Sequence, residues 1–117
     1  MVLLGNTFPP ALIRRKITVT PISIEVAREL LADGFQSYWG HANTIITANA
    51  LLGVNVTPET ERPALLLNAD NLPTLDGKVA NKVVVLSPNY APGYRPPEGE
   101  ITPPEKILGW QALLWLF

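Results

Sequence analysis

The sequence predicts one small α/β domain over residues 1–117, with a mixed, mainly β sheet of about five strands flanked by short helices. Three observations lead there. The 117 residues are one domain's worth, and with 47% hydrophobic against 16% charged they favour a packed core over disorder. Lys16 to Ser23 (KITVTPIS) alternates β-branched and polar residues, the period of a strand with one buried face. Two further stretches space their apolar residues for one helix face, and each closes on a glycine.

Taken in order, Val2 to Gly5 is a short apolar run that fits a buried strand, stopped by Asn6-Thr7 and Pro9-Pro10. Pro21 places the next strand at an edge, or ends it. Ser23 caps the first helix, Glu25 suits its positive end, and Ile24, Ala27, Leu30 and Leu31 form its buried face. Asp33-Gly34 closes it, and Phe35 to Trp39 reads as a short bridging strand. A second helix is expected from about His41 to Leu52, stopped by Gly53, with Ile45, Ala48, Leu51 and Leu52 facing inward. Residues 57–63 read as a loop, and Ala64 to Leu67 and Lys82 to Leu86 as strands separated by a turn-rich stretch with Asp76-Gly77. Residues 87–99 (SPNYAPGYRPPEG) read as a long functional loop. Pro103-Pro104 opens a short helix, PEKIL, and Gln111 to Phe117 reads as a final strand or a dimer-facing segment.

The composition narrows the function. A formal charge of −1 gives no general attraction for nucleic acid, so stable binding of duplex DNA is not expected. With no cysteine and a single histidine, thiolate and multi-His metal sites are excluded within one protomer, no acidic cluster resembles a metal site, and no cofactor is implied. The opening MVLLGN is too short for a signal peptide, and no apolar stretch reaches the roughly 20 residues that span a bilayer. The expected location is therefore cytoplasmic. A slightly positive mean hydropathy in so small a domain points to apolar area buried in a homodimer.

Few residues suit chemistry. Gly40-His41 stands where the second helix begins, an end whose free N–H groups and positive dipole receive anions. Asn43 and Thr44 add donors in its first turn, and His41 can exchange a proton near neutral pH. The plain alternative is a hydrogen-bonded surface or core histidine. Arg95, two prolines before Glu98, suits stabilisation of a phosphorus transition state, and Glu98 suits either orientation of that arginine or assistance to proton transfer. Their alternative is a solvated ion pair. Arg14-Arg15-Lys16 either steers an anion or faces solvent at the head of a strand. Asn6-Thr7-Phe8 either binds a base or simply ends a strand.

Read in order, the chain resembles the viral anti-CRISPR ring nucleases that counter type III CRISPR systems, with their bacterial and phage relatives. The resemblance lies in Asn6 and Phe8 after the first strand, LLADGF, GHANT (Gly40 to Thr44), LLG (Leu51 to Gly53), Arg62 before a strand, and RPPEG (Arg95 to Gly99). It covers nearly the whole chain. It implies a symmetric dimer holding cyclic tetra-adenylate across its two-fold axis, in the cytoplasm of the host cell if the protein is virus-encoded. It also implies His41 as general acid, Arg95 on the transition state and Glu98 in support. Asn6, Phe8, Gly40, Asn43, Thr44 and Arg62 are the implied ligand contacts, and no metal or cofactor is needed. Two features depart from the family pattern: a longer, proline-rich loop before Arg95, and Pro9-Pro10 where relatives carry a small polar residue. The competing expectations are a protein that sequesters a cyclic nucleotide without cutting it, a small viral DNA-binding protein, and a structural protein that assembles through its apolar tail.

Overall fold

The computed structural model describes residues 2–38, 42–56, 65–95 and 103–117, with backbone alone for 42–46 and 104. Its strands are β1 (Val2–Gly5), β2 (Thr18–Ile22), β3 (Phe35–Ser37), β4 (Leu65–Leu67), β5 (Pro73–Leu75), β6 (Lys78–Val79), β7 (Lys82–Tyr90) and β8 (Ile107–Leu116). The helices are α1 (Ile24–Ala32) and α2 (Ala42–Leu52), with 3₁₀ turns at Pro10–Leu12 and Pro104–Lys106. A five-stranded mixed sheet has the order β2-β8-β7-β1-β3, and β4-β5-β6 form a second sheet. The expected architecture is found, with the small second sheet added to it.

The five-stranded sheet divides by direction. β3, β1 and β7 run parallel, while β8 and β2 continue from β7 in antiparallel pairs. Val83, Val84, Val85 and Leu86 are all buried, as a central strand covered on both faces requires. Successive side chains alternate between those faces. Leu4, Val84 and Leu86 pack with Ala27 and Leu31 of α1 and with Ala48 and Leu52 of α2. Leu3, Val83 and Val85 pack on the opposite face with Phe8, Leu75 and Ala80.

Both ends of α1 form as its sequence requires. The Ser23 hydroxyl accepts from the Val26 N–H at 3.1 Å, and Gly34 takes a φ of +111° beyond the other end of α1. Pro21 lies on the edge strand β2, where its missing N–H removes no bond from the interior of the sheet.

Two expectations are corrected. The stretch 87–99 is not all loop, because β7 continues through Ser87 and Pro88 to Tyr90 and pairs with β8. β1 ends against Val85, so beyond that point β7 has β8 as its one strand partner among the described residues, and Pro88 occupies a local edge. Likewise, Ile107 and Leu108 do not extend a helix. They open β8, Ile107 pairing with Tyr90, and ladder pairing overrides the short local helical signal.

The turn-rich stretch before β7 is itself a hairpin. Asp76 and Gly77 both have positive φ, +50° and +78°, as a two-residue hairpin turn between β5 and β6 demands.

Candidate functional site

The parallel strands place three connections at one end of the sheet. β1, β3 and β7 all run toward it; β1 and β3 end side by side, and β7 continues five residues further, to Tyr90. This is where open α/β sheets commonly bind ligands. After β1 come Asn6 and Thr7; after β3 the chain passes Tyr38 and reaches α2 at Ala42; after β7 it turns and reaches Arg95.

Hydrogen bonds tie the β1 exit to β7 and to the β3 exit. The Ser87 hydroxyl of β7 donates to the Asn6 carbonyl at 3.2 Å, holding the β1 exit against β7. The Tyr38 N–H donates to the Leu4 carbonyl at 3.1 Å, and the Tyr38 hydroxyl to the Thr7 carbonyl at 2.6 Å. Desolvation pushes the Tyr38 phenol above its ordinary value, so it stays a neutral donor throughout the physiological range.

The approach to Arg95 is also fixed. Ala91 to Tyr94 forms a turn closed by the Tyr94 N–H on the Ala91 carbonyl at 3.0 Å, with Pro92 second and Gly93 third at a φ of +76°. That is the residue order of a type II turn. The Ala91 N–H donates to the Lys106 carbonyl at 2.8 Å, and the Lys106 ammonium lies 5.8 Å from the centre of the Tyr94 ring. Arg95 follows this braced base with its side chain exposed.

Among the residues that the sequence singled out, Asn6 is half-buried at the strand ends, and Asn43 and Thr44 occupy the first turn of α2. Gly40, His41, Arg62 and Glu98 lie outside the described residues. Phe8 is a packing residue in this structure. It is 4% exposed, and its ring centre lies 5.2 Å from that of Trp115 and 5.1 Å from that of Phe117. A strand-ending aromatic in sequence cannot be told from a ligand platform, because only the fold shows what covers it.

Arg14 and Arg15 of the basic cluster are engaged elsewhere. Arg14 donates to the Ala11 carbonyl at 3.0 Å, and Arg15 donates to the carbonyl of Asp70, in the β4–β5 turn, also at 3.0 Å. Beside it an open groove of about 530 Å³ is lined by Leu12, Arg14, Leu66 and Asn71 among others. Sequence reading passed over Gly5, Tyr38 and Ser87. The available signal was an aromatic residue directly after a short strand and ahead of a helix start.

No protein-family model matches the chain, and no curated protein matches it. Among solved structures, it is similar to B116 of Sulfolobus turreted icosahedral virus, with a TM-score of 0.58 and 15% identity over 99% of this chain and 98% of that one. At that identity the likeness shows a shared fold along the whole length.

Proposed function

We propose that the chain is a metal-independent ring nuclease that cleaves cyclic tetra-adenylate into linear di-adenylates ending in 2′,3′-cyclic phosphates, and thereby switches off type III CRISPR defence. The observation that carries this reading is that Asn6, the start of α2 and Arg95 each follow the carboxyl end of one of three parallel strands that run toward the same end of the sheet. The order of sequence motifs supports it, and so does a full-length fold likeness to a viral protein.

The reaction suits so sparse a site. A ribose 2′-oxygen attacks the neighbouring phosphorus in line, the bond from phosphorus to the 5′-oxygen breaks, and the 2′-hydroxyl proton leaves to solvent. Arg95 and the N–H groups of the first turn of α2 stabilise the phosphoryl oxygens. His41 gives the 5′-oxygen its proton, and Glu98 orients Arg95. Asn6, Gly40, Asn43, Thr44 and Arg62 hold the ring in line. A two-fold dimer presents two such sites to a four-nucleotide ring, which accounts for two di-adenylate products. It also brings the few cations of two protomers to four phosphates, which offsets a chain charge of −1.

The test is incubation with cyclic tetra-adenylate in EDTA, with products followed by chromatography and mass. Turnover in excess of enzyme separates cleavage from sequestration. An intact ring under these conditions ends the cleavage reading.

A further inference from the structure

Gly5 and Tyr38 meet where two of the site's connections leave the sheet. Gly5 is the last residue of β1 and Tyr38 the first after β3, and the ring of Tyr38 lies where a side chain on Gly5 would be. A Cβ built on Gly5 would lie 2.6 Å from the Tyr38 hydroxyl oxygen and closer still to its ring carbons. Gly5 carries no positive φ, so its backbone does not call for glycine. The requirement is room for the ring.

From that position the ring reaches across. Its hydroxyl donates to the Thr7 carbonyl at 2.6 Å, while its own N–H donates to the Leu4 carbonyl at 3.1 Å. Tyr38 thus holds the β1 exit on both sides of Asn6. It is also the last described residue before the chain enters α2 at Ala42. Ser87 grips the Asn6 carbonyl from the β7 side. Shifting Tyr38 therefore displaces the Asn6 turn relative to the end of β3, after which the next described element is α2.

We infer that Tyr38 is a positioning residue, seated by the missing side chain of Gly5, that sets the distance between the Asn6 turn and the start of α2. This inference rests on the ring-nuclease reading for its effect on rate, and on the geometry alone for its effect on the two segments. Tyr38 moves no proton in the reaction. It acts through the residues it holds.

Four proteins test it: wild type, Tyr38→Phe, Gly5→Ala, and the double variant Gly5→Ala/Tyr38→Leu, in which a smaller side chain leaves room for the new methyl. Tyr38→Phe keeps the ring and removes the hydroxyl. It is expected to slow single-turnover cleavage of cyclic tetra-adenylate by roughly 10- to 100-fold, as a small misplacement of reacting groups does. The pH profile of cleavage should keep its shape. Gly5→Ala should slow cleavage at least as much, and the double variant should recover part of the loss, which simple damage to the fold would not allow. Wild-type cleavage rates in Tyr38→Phe and Gly5→Ala would overturn the inference, as would a double variant worse than Gly5→Ala. If the wild type leaves the ring intact, the ring-nuclease reading fails and amide hydrogen exchange decides the geometric claim. Tyr38→Phe must then accelerate exchange in both residues 6–8 and residues 42–45. Acceleration in neither segment, or in one alone, overturns the inference.

Discussion

The Arg28 guanidinium of α1 donates to the Leu51 carbonyl in the last turn of α2, from Nε at 2.8 Å and from Nη2 as well. It supplies a partner to a carbonyl that the helix leaves open and places positive charge at the negative end of the dipole. The first turn of the same helix lies at the candidate site. Arg28→Ala is expected to cost about 1 kcal/mol, less than the roughly 1.5–3 kcal/mol of a charged hydrogen bond because the arginine is exposed. A fall of a few degrees in Tm measures it, and no change would make the contact energetically idle.

Asn49 secures the chain after α2 from within. Its side-chain amide donates to the Val56 carbonyl at 2.8 Å, and its side-chain oxygen accepts from the Val56 N–H at 3.0 Å. Asn49→Ala leaves both backbone groups without these partners in a half-buried setting, an expected loss of about 1–3 kcal/mol. Asn49→Asp keeps the acceptor and removes the donor, so it should cost less if the Val56 N–H bond dominates. Urea unfolding of both variants separates the two bonds.

Phe8 tests packing against ligand contact. Its ring packs against those of Trp115 and Phe117 and is almost fully covered. Phe8→Ala should cost about 3–5 kcal/mol, as deletion of a buried aromatic does. Phe8→Leu, which keeps much of the apolar volume, should cost less and leave the affinity for cyclic tetra-adenylate within twofold of wild type. A large affinity loss in a folded Phe8→Leu protein would return Phe8 to the ligand.

Much of this was legible in the sequence. The spans of the two helices and of β1, β2 and β3, and the Ser23 cap of α1, follow from local pattern and the glycines; the buried face that alternation gave β2 does not, since Thr18 to Pro21 are all exposed. What was not legible depends on distant neighbours. β7 runs on through Pro88 because β8 lies beside it, and Phe8 is covered because the chain's last residues return to it. In the candidate site, local pattern marks the helix start and Arg95. The Gly5–Tyr38 fit is visible only once β1 and β3 are paired in register.

Alkaline pH gives a signed prediction for Tyr38. Burial raises the phenol in the folded state above its ordinary 10.0, so above that pH the unfolded chain loses the proton first. The stabilising contribution is complete below pH about 10 and declines as pH rises from there toward the folded value. Tyr38→Phe removes this contribution. The stability difference between wild type and Tyr38→Phe should therefore be constant from pH 7 to about 9.5 and shrink above about 10. Denaturant unfolding across that range measures it, and a constant difference to pH about 11 would contradict the burial of the phenol.

Arg95 and His41 carry the proposed chemistry and should fail in different ways. His41→Ala removes the acid for the 5′-oxygen, an expected loss of roughly 10²–10⁴-fold in the single-turnover rate. A substrate whose 5′-oxygen is replaced by sulfur leaves without needing a proton. It should therefore restore much of the rate to His41→Ala. Arg95→Ala should lose roughly 10²–10³-fold by removing a donor to the phosphoryl oxygens, and the sulfur leaving group should give it no such rescue. Both variants should still bind the ring, with Arg95→Ala the weaker because the exposed guanidinium also meets the ground-state phosphate. Equal rescue of the two variants would dissolve the division of labour between them, and an unchanged rate in either would remove that residue from the reaction.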